Sequence, residues 1–142
     1  MTLYTYLRFN GECREAFEFY RSVFGGEFEM MTFGDGPDDM PVPEGERDLV
    51  MHVSYPIGSS VLMGSDTPSW SPEPTQMGNN FSISCMPATR EETDQLFTKI
   101  SEGGVVTMPL EEMFWGAYFG ACTDKFGINW QFNHDPEPPQ SG

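Results

Sequence analysis

The chain is poor in positive charge. Seven lysines and arginines face 22 aspartates and glutamates, a formal net charge of −15. Such a balance argues against nucleic acid, whose phosphates are held by Lys and Arg, and against anionic membrane surfaces. Histidine is scarce, with two in 142 residues, His52 and His134. The three cysteines, Cys13, Cys85 and Cys122, lie far apart and form no CxxC pair or zinc spacing. All three fall in apolar or helical patterns, so buried thiols are expected, in a reducing cytoplasmic compartment. No apolar run approaches the length of about 18 residues that a membrane span needs. The first residues, Met-Thr-Leu-Tyr-Thr, offer neither a basic nor an apolar segment, which predicts no signal peptide.

What is present reads as one duplicated unit. The 38% hydrophobic and 14% aromatic content supports a real core, and the length fits one domain. In each half a strand-like run leads into a helix that stops at a Gly-Gly pair, Gly25-Gly26 and then Gly103-Gly104. Each half then ends in a hairpin, turning near Gly58 and near Gly127. The pattern predicts module one over 1–65, a linker over 66–78, module two over 79–134 and a frayed tail over 135–142.

In the first half, Leu3, Leu7 and Phe9 alternate with Tyr4, Tyr6 and Arg8. Asn10-Gly11 opens a helix whose apolar residues Cys13, Ala16, Phe17, Tyr20, Val23 and Phe24 recur at helical spacing. Residues 28–33 read as a strand and 34–46 as a Gly-, Pro- and Asp-rich loop. A hairpin over Asp48–Tyr55 and Ser59–Met63 completes the half. In the second half, Thr89 and Glu92 have capping-box spacing ahead of a helix with Leu96, Phe97 and Ile100 on its apolar face. Strands are expected at 105–108, 117–123 and 128–133, with a loop at 109–116.

The residues Tyr6-Leu-Arg-Phe-Asn-Gly11, Glu15-Ala-Phe-Glu-Phe-Tyr20, Gln76-Met-Gly-Asn-Asn-Phe81, Phe114-Trp-Gly116 and Phe119-Gly-Ala-Cys-Thr-Asp-Lys-Phe-Gly-Ile-Asn-Trp130 carry a resemblance. A βαβββ unit used twice with this wording resembles the vicinal oxygen chelate superfamily, which includes glyoxalase I, fosfomycin-resistance proteins and extradiol dioxygenases. The likeness is strongest to its PhnB-like branch, whose members often bear the name demethylubiquinone methyltransferase. The resemblance implies an α+β fold, two βαβββ modules forming a curved mixed sheet around a central cleft, and a homodimer. It also implies a divalent metal held by four strand positions. A methyltransferase of the Rossmann type would need a glycine-rich turn after a first parallel strand. Gly34-Asp-Gly36 sits instead in the Pro- and Asp-rich loop.

Strand parity carries the family's four ligand positions onto Tyr4, Leu62, Asn80 and Gln131. This parity puts Leu3, Val61, Met63, Phe81 and Trp130 toward the core. Leucine cannot ligate, and amides suit zinc, nickel or iron poorly. No metal or other cofactor is therefore expected. The cleft of this reading is lined by Tyr4, Tyr6, Arg8, His52, Leu62, Asn80, Ser82, Asn129 and Gln131, with Trp115 as a lid or a dimer contact. Trp70, in the Pro-rich linker, carries the same two readings. Such a lining suits a small polar-aromatic or anionic ligand, with Arg8 pairing its anionic group or bridging to Glu12 or Glu15. His52 is either a half-buried structural histidine or a general base. Three functions follow: a metal-independent metabolite binder; a glyoxalase-type lyase or isomerase, or a dioxygenase-like enzyme, using His52 as base; or a structural, partner-binding dimer.

Overall fold

The computed structural model describes residues 1–37 and 41–136. The chain divides into two compact units, Met1–Gln76 and Met77–Gly142. Each contains one helix and one four-stranded mixed sheet, so the fold is α+β.

In the first unit β1 (Thr5–Phe9) leads to α1 (Cys13–Phe24), then β2 (Glu29–Thr32), β3 (Val50–Ile57) and β4 (Ser60–Asp66). The spatial order is β1-β4-β3-β2, with β1 parallel to β4 and the other pairs antiparallel. Alternation in β1 works as the sequence suggests: Leu7 and Phe9 are buried, while Tyr6 and Arg8 are exposed. Leu3 is an exception to the expected core, because it precedes the strand and is 89% exposed. The helix buries Cys13, Ala16, Phe17, Tyr20 and Val23 on one stripe. Phe17 is the hub of that face. Its ring meets Phe9, Tyr20, Phe28 and Tyr55 edge-on, with centroids 5.5–6.4 Å apart, a geometry that adds to plain area burial. Gly64 lets Phe17 press on β4, since a Cβ there would stand 2.8 Å from the Phe17 ring.

The start of α1 is held from afar. Asp66 is buried, and its Oδ1 accepts from the amides of Gly11 and Cys13 at 3.0 and 2.9 Å. Its Oδ2 accepts from the Val50 amide at 2.9 Å. One carboxylate thus joins the helix N-terminus to two strands. The far end of the helix is tied by the Tyr55 hydroxyl, which donates to the Gly25 carbonyl.

The second unit repeats this plan with β5 (Ile83–Cys85), α2 (Arg90–Ile100), β6 (Val105–Glu112), β7 (Tyr118–Thr123) and β8 (Asn129–His134). Its order is β5-β8-β7-β6, and β5 is parallel to β8. The Thr89 hydroxyl accepts from the Glu92 amide at 3.1 Å, the first half of the expected capping box. Thr93, Phe97 and Ile100 are the buried residues of α2, and Phe97 meets Phe132 edge-on at 5.6 Å. Asp124 anchors the β7–β8 turn: it accepts from the Phe126 and Ile128 amides and from the Trp130 indole, at 2.8–3.0 Å. Phe81, expected in the core, precedes β5 and is exposed.

Other expectations shift. The strand foreseen at 105–108 continues to Glu112, through Pro109. It lies at the sheet edge, where the amide that proline lacks is not needed, and its register slips between Met108 and Glu111. The loop foreseen at 109–116 shrinks to the hairpin tip, where Gly116 takes φ 96°. The strand foreseen over 28–33 ends at Thr32, and Phe33–Asp35 form a 3-10 turn. Of residues 66–78, 66–76 fall in the first unit and 77–78 in the second. Asp66 belongs to β4, and the following loop bonds back onto the first unit through Ser69 with Glu46 and Asn10 with the Thr75 carbonyl. Of the loop expected at 34–46, residues 38–40 lie outside the described residues, as do 137–142 of the expected tail.

Candidate functional site

Each sheet has a face turned away from its own helix. In the first unit, register fixes which side chains share that face. Tyr6 pairs with Met63 and Arg8 with Ser65 across β1–β4, and Met63 pairs with Ser54 across β4–β3. His52 pairs with Met31 on β2. Val50 and Val53 are both buried, although their spacing breaks strict alternation. The register slip opposite Met31 and Thr32 accounts for it, since Met51 is the extra residue. His52 therefore shares this face with Ser54, while Val50 lies on the buried one.

Leu62 is a correction. It pairs with Thr5 and with buried Tyr55, and is itself 5% exposed. It belongs to the helix-packed core. Val61, Met63 and Ser65 take the opposite face, so the parity assigned to this strand was inverted. Gly64 and Asp66 disguise the pattern. Both occupy core-facing positions, one because Phe17 crowds it and one because three amides satisfy it.

Tyr6 and His52 meet across the intervening β4. The Tyr6 hydroxyl lies 3.2 Å from His52 Nδ1, and the rings are 5.7 Å apart. With the imidazole proton on Nε2, the phenol donates to Nδ1. Arg8 stands two residues beyond Tyr6. Its Nη2 donates to Thr67 Oγ1 and Ser71 Oγ, both at the long distance of 3.4 Å. The bridge to Glu12 or Glu15 is not formed: the ion pairs among the described residues are Arg21 with Glu18 and Glu27, and Arg90 with Glu112. Tyr4 lies just before β1 and is exposed.

The second unit's corresponding face carries mostly amides and hydroxyls, with Glu111 on the edge strand opposite Phe119. Asn129, Gln131 and Asn133 alternate with buried Trp130 and Phe132. Asn129 is occupied structurally, accepting from the Thr123 hydroxyl and donating to the Gly78 carbonyl, both at 2.8 Å. Gln131 pairs with Ser84 and Ala121. Asn80 and Ser82 precede β5 and are exposed. Trp115 sits at the tip of the β6–β7 hairpin, edge-on to Phe114 at 4.7 Å, and both rings are exposed. Trp70 belongs to the first unit, edge-on to Phe33 at 5.2 Å.

The chemistry open to these groups is limited. The cysteines are not paired, and burial pushes the Cys85 and Cys122 thiols up to about 11. Burial, then Asp66, pushes Cys13 higher still. None is a thiolate near neutrality, so none is poised as nucleophile or metal ligand. Cys85 is half-buried rather than fully enclosed. Among the described residues Asp35 is the one carboxylate held clearly below its ordinary value, by the Thr32 amide and then the Thr32 hydroxyl, at the 3-10 turn. Among the described residues no group of three His, Cys, Asp or Glu side chains gathers as a metal site. The positions that the resemblance assigns to a metal supply a phenol, two amides and a core leucine, a donor set that does not fit a divalent ion.

The sequence reading missed Met63, Ser65, Thr67 and Ser71. Gly64 was the available signal, because a glycine between larger residues in a strand marks close backbone approach. Taking Gly64 as the position against the helix would have reversed the parity of the strand.

The comparisons with known proteins bear on the family and the fold. Residues 1–133 match a family model described as 3-demethylubiquinone-9 3-methyltransferase. The structure of protein PA1353 from Pseudomonas aeruginosa is 40% identical, with TM-score 0.83, over 95% of this chain and 98% of that one. A putative 3-demethylubiquinone-9 3-methyltransferase, PhnB protein, from Bacillus cereus is 24% identical, with TM-score 0.72, over 94% and 99%. The fold extends to a glyoxalase/bleomycin resistance protein/dioxygenase family enzyme from Burkholderia phytofirmans PsJN, 16% identical with TM-score 0.61 over 92% and 95%. The chain shares its fold with the PhnB protein and with the glyoxalase/bleomycin resistance protein/dioxygenase family enzyme, and it belongs to the family of the matching model.

Proposed function

We propose that the face carrying Tyr6, Arg8 and His52 binds a small polar-aromatic or anionic metabolite without a metal ion. The observation that carries this reading is Arg8. In a chain with 22 acidic residues, its guanidinium has no carboxylate partner among the described residues and rests only on two hydroxyls at 3.4 Å. An exposed phenol and an imidazole stand on the same face, the usual mixture of aromatic area and a few polar groups in ligand sites.

The family description names a methyl transfer, but fold and family do not by themselves fix an activity. Both sheets are mixed, with one parallel pair each, so the crevice of a doubly wound parallel sheet is not part of this architecture.

A thermal-shift screen of metabolites tests the reading. A ligand at 100 times its dissociation constant adds about 2.7 kcal/mol, and Arg8→Gln should abolish the shift. A hit unaffected by Arg8→Gln, Tyr6→Phe and His52→Ala removes this face from consideration. Metal analysis of protein purified without chelator tests the other half, and one tightly held ion per chain would overturn it.

The Tyr6–His52 contact favours a second reading, a lyase or isomerase in which His52 takes a proton. Turnover lost in His52→Ala, with ligand binding retained, would select it over simple binding. A homodimer belongs to the proposal as well. Edge strand β6 exposes Val105, Val106 and Met108, and light scattering reads the assembly state directly. The free thiols accord with a reducing, cytoplasmic setting. No helix among the described residues is long and apolar enough to cross a membrane.

A further inference from the structure

The geometry points to a monocarboxylate on a planar or aromatic body, rather than a phosphate ester, as the ligand class of the Tyr6–Arg8–His52 face. This inference rests on the binding role proposed for that face and narrows it.

The strands of the first sheet carry one permanently cationic side chain, Arg8. The unit's other arginines are engaged elsewhere. Arg21 pairs with Glu18 and Glu27, and Arg14 and Arg47 donate to the Asp48 and Gly34 carbonyls. A carboxylate brings one negative charge, which one guanidinium neutralises. A phosphate monoester carries about −1.5 to −2 at neutral pH. Its excess charge would meet a chain of net −15 with no second cation on these strands.

The donors give the same answer. Nη2 is turned toward the Thr67 and Ser71 hydroxyls. Ser71 donates its own proton to the Glu73 carbonyl at 2.9 Å, and Thr67 shares a hydrogen bond with the Thr75 hydroxyl in which either oxygen can donate. Ser71 thus steadies the guanidinium rather than offering its proton to an anion. Nε and Nη1 have no partner among the described residues, and their N–H groups diverge, so each offers an anion a single hydrogen bond. A singly charged carboxylate is served by so few donors, whereas the three oxygens of a phosphate would be left short of them.

Spacing sets the rest of the ligand. Residues two apart on a strand stand about 7 Å apart along it. Tyr6 and its partner His52 therefore lie about one aromatic ring away from Arg8. The phenol–imidazole pair offers a face for stacking and a polar edge for a hydroxyl or carbonyl on the ligand.

Calorimetry with one scaffold in three forms separates the possibilities: 4-hydroxyphenylacetate, its amide, and 4-hydroxybenzylphosphonate. The acid should bind about tenfold more tightly than the amide, the value of one charged hydrogen-bonded pair, and more tightly than the phosphonate. Arg8→Gln should erase the preference for acid over amide, and Tyr6→Phe should weaken all three forms. Equal binding of acid and amide, or tighter binding of the phosphonate, overturns the carboxylate assignment while leaving the face as a site. Binding that ignores Arg8→Gln, Tyr6→Phe and His52→Ala alike sinks the site and the assignment together. No binding of the acid at millimolar concentration overturns the assignment alone, because the metabolite screen tests the face independently.

Discussion

The two modules share a topology but spend their residues differently. Module one closes its helix face with an aromatic hub, Phe17 among Phe9, Tyr20, Phe28 and Tyr55. Module two closes its own with Phe97, Ile100 and Thr93, and one edge-on ring pair to Phe132. The opposite faces also diverge. Module one places a cation, a phenol and an imidazole there, and module two places amides and hydroxyls; each adds one carboxylate on its edge strand, Glu29 and Glu111. Duplication thus repeats what folding needs, a helix on a mixed sheet. It leaves each outer face open to its own use. The aromatic hub lies under the face that carries Tyr6, Arg8 and His52, which is the support that positioned side chains require.

The largest test of this comparison removes the polar anchors. Asp66→Ala would strand three amides, two at the start of α1 and one on β3, and about 3–5 kcal/mol should be lost in urea unfolding. Asp124→Ala strands two amides of one turn and the Trp130 indole, so its cost should be smaller and confined to module two. Equal costs would show that the long-range clasp on α1 is worth no more than a local turn.

The hub comes next. Phe17→Ala should cost about 4 kcal/mol and Phe97→Ala about 3. The difference reflects four edge-on partners against one. If the two midpoints fall together, the aromatic cluster contributes only area.

A third test uses alkali. Burial pushes the Cys122 thiol from the ordinary 9.0 up to about 11. The unfolded chain gives up this proton first, so stability is full below about pH 9 and declines as pH rises toward 11. Cys13 in module one and buried Tyr55 shift in the same direction. Cys122→Ala should remove one thiol's share of the alkaline decline and leave that of Cys85, raised to about 11 as well, and that of module one. An unchanged slope of stability against pH would refute the burial argument for Cys122.

Much of this plan is legible in the sequence, and the failures have physical causes. The repeat, the α1 stripe, the turns at Gly58 and Gly127 and the exposure of Tyr6 and Arg8 follow from local periodicity. The parity of β4 does not. Its core face reads Leu62, Gly64, Asp66, and two of those three are not apolar. They face inward because of a ring 47 residues away in sequence and amides up to 55 residues away. Strand β6 passes through a proline because it is an edge. The segment after Asp66 has a linker's composition, yet Thr67, Ser69, Ser71 and Thr75 fasten it to module one. Periodicity reads neighbours along the chain, and these features depend on neighbours in space.

The smallest expected effect discriminates most between the two faces. Tyr6→Phe removes one exposed hydroxyl, and with it the 3.2 Å contact to His52. Nothing in the helix-packed core depends on that hydroxyl, so stability should change by less than about 0.5 kcal/mol. Gln131→Leu in module two makes a comparably mild change on the other sheet's outer face. If module one alone has turned its outer face to chemistry, Tyr6→Phe weakens ligand binding at nearly constant stability, and Gln131→Leu changes neither. A loss of binding in Gln131→Leu as large as that in Tyr6→Phe would mean that both modules supply the ligand. The asymmetry between the faces would then be one of polarity and not of function.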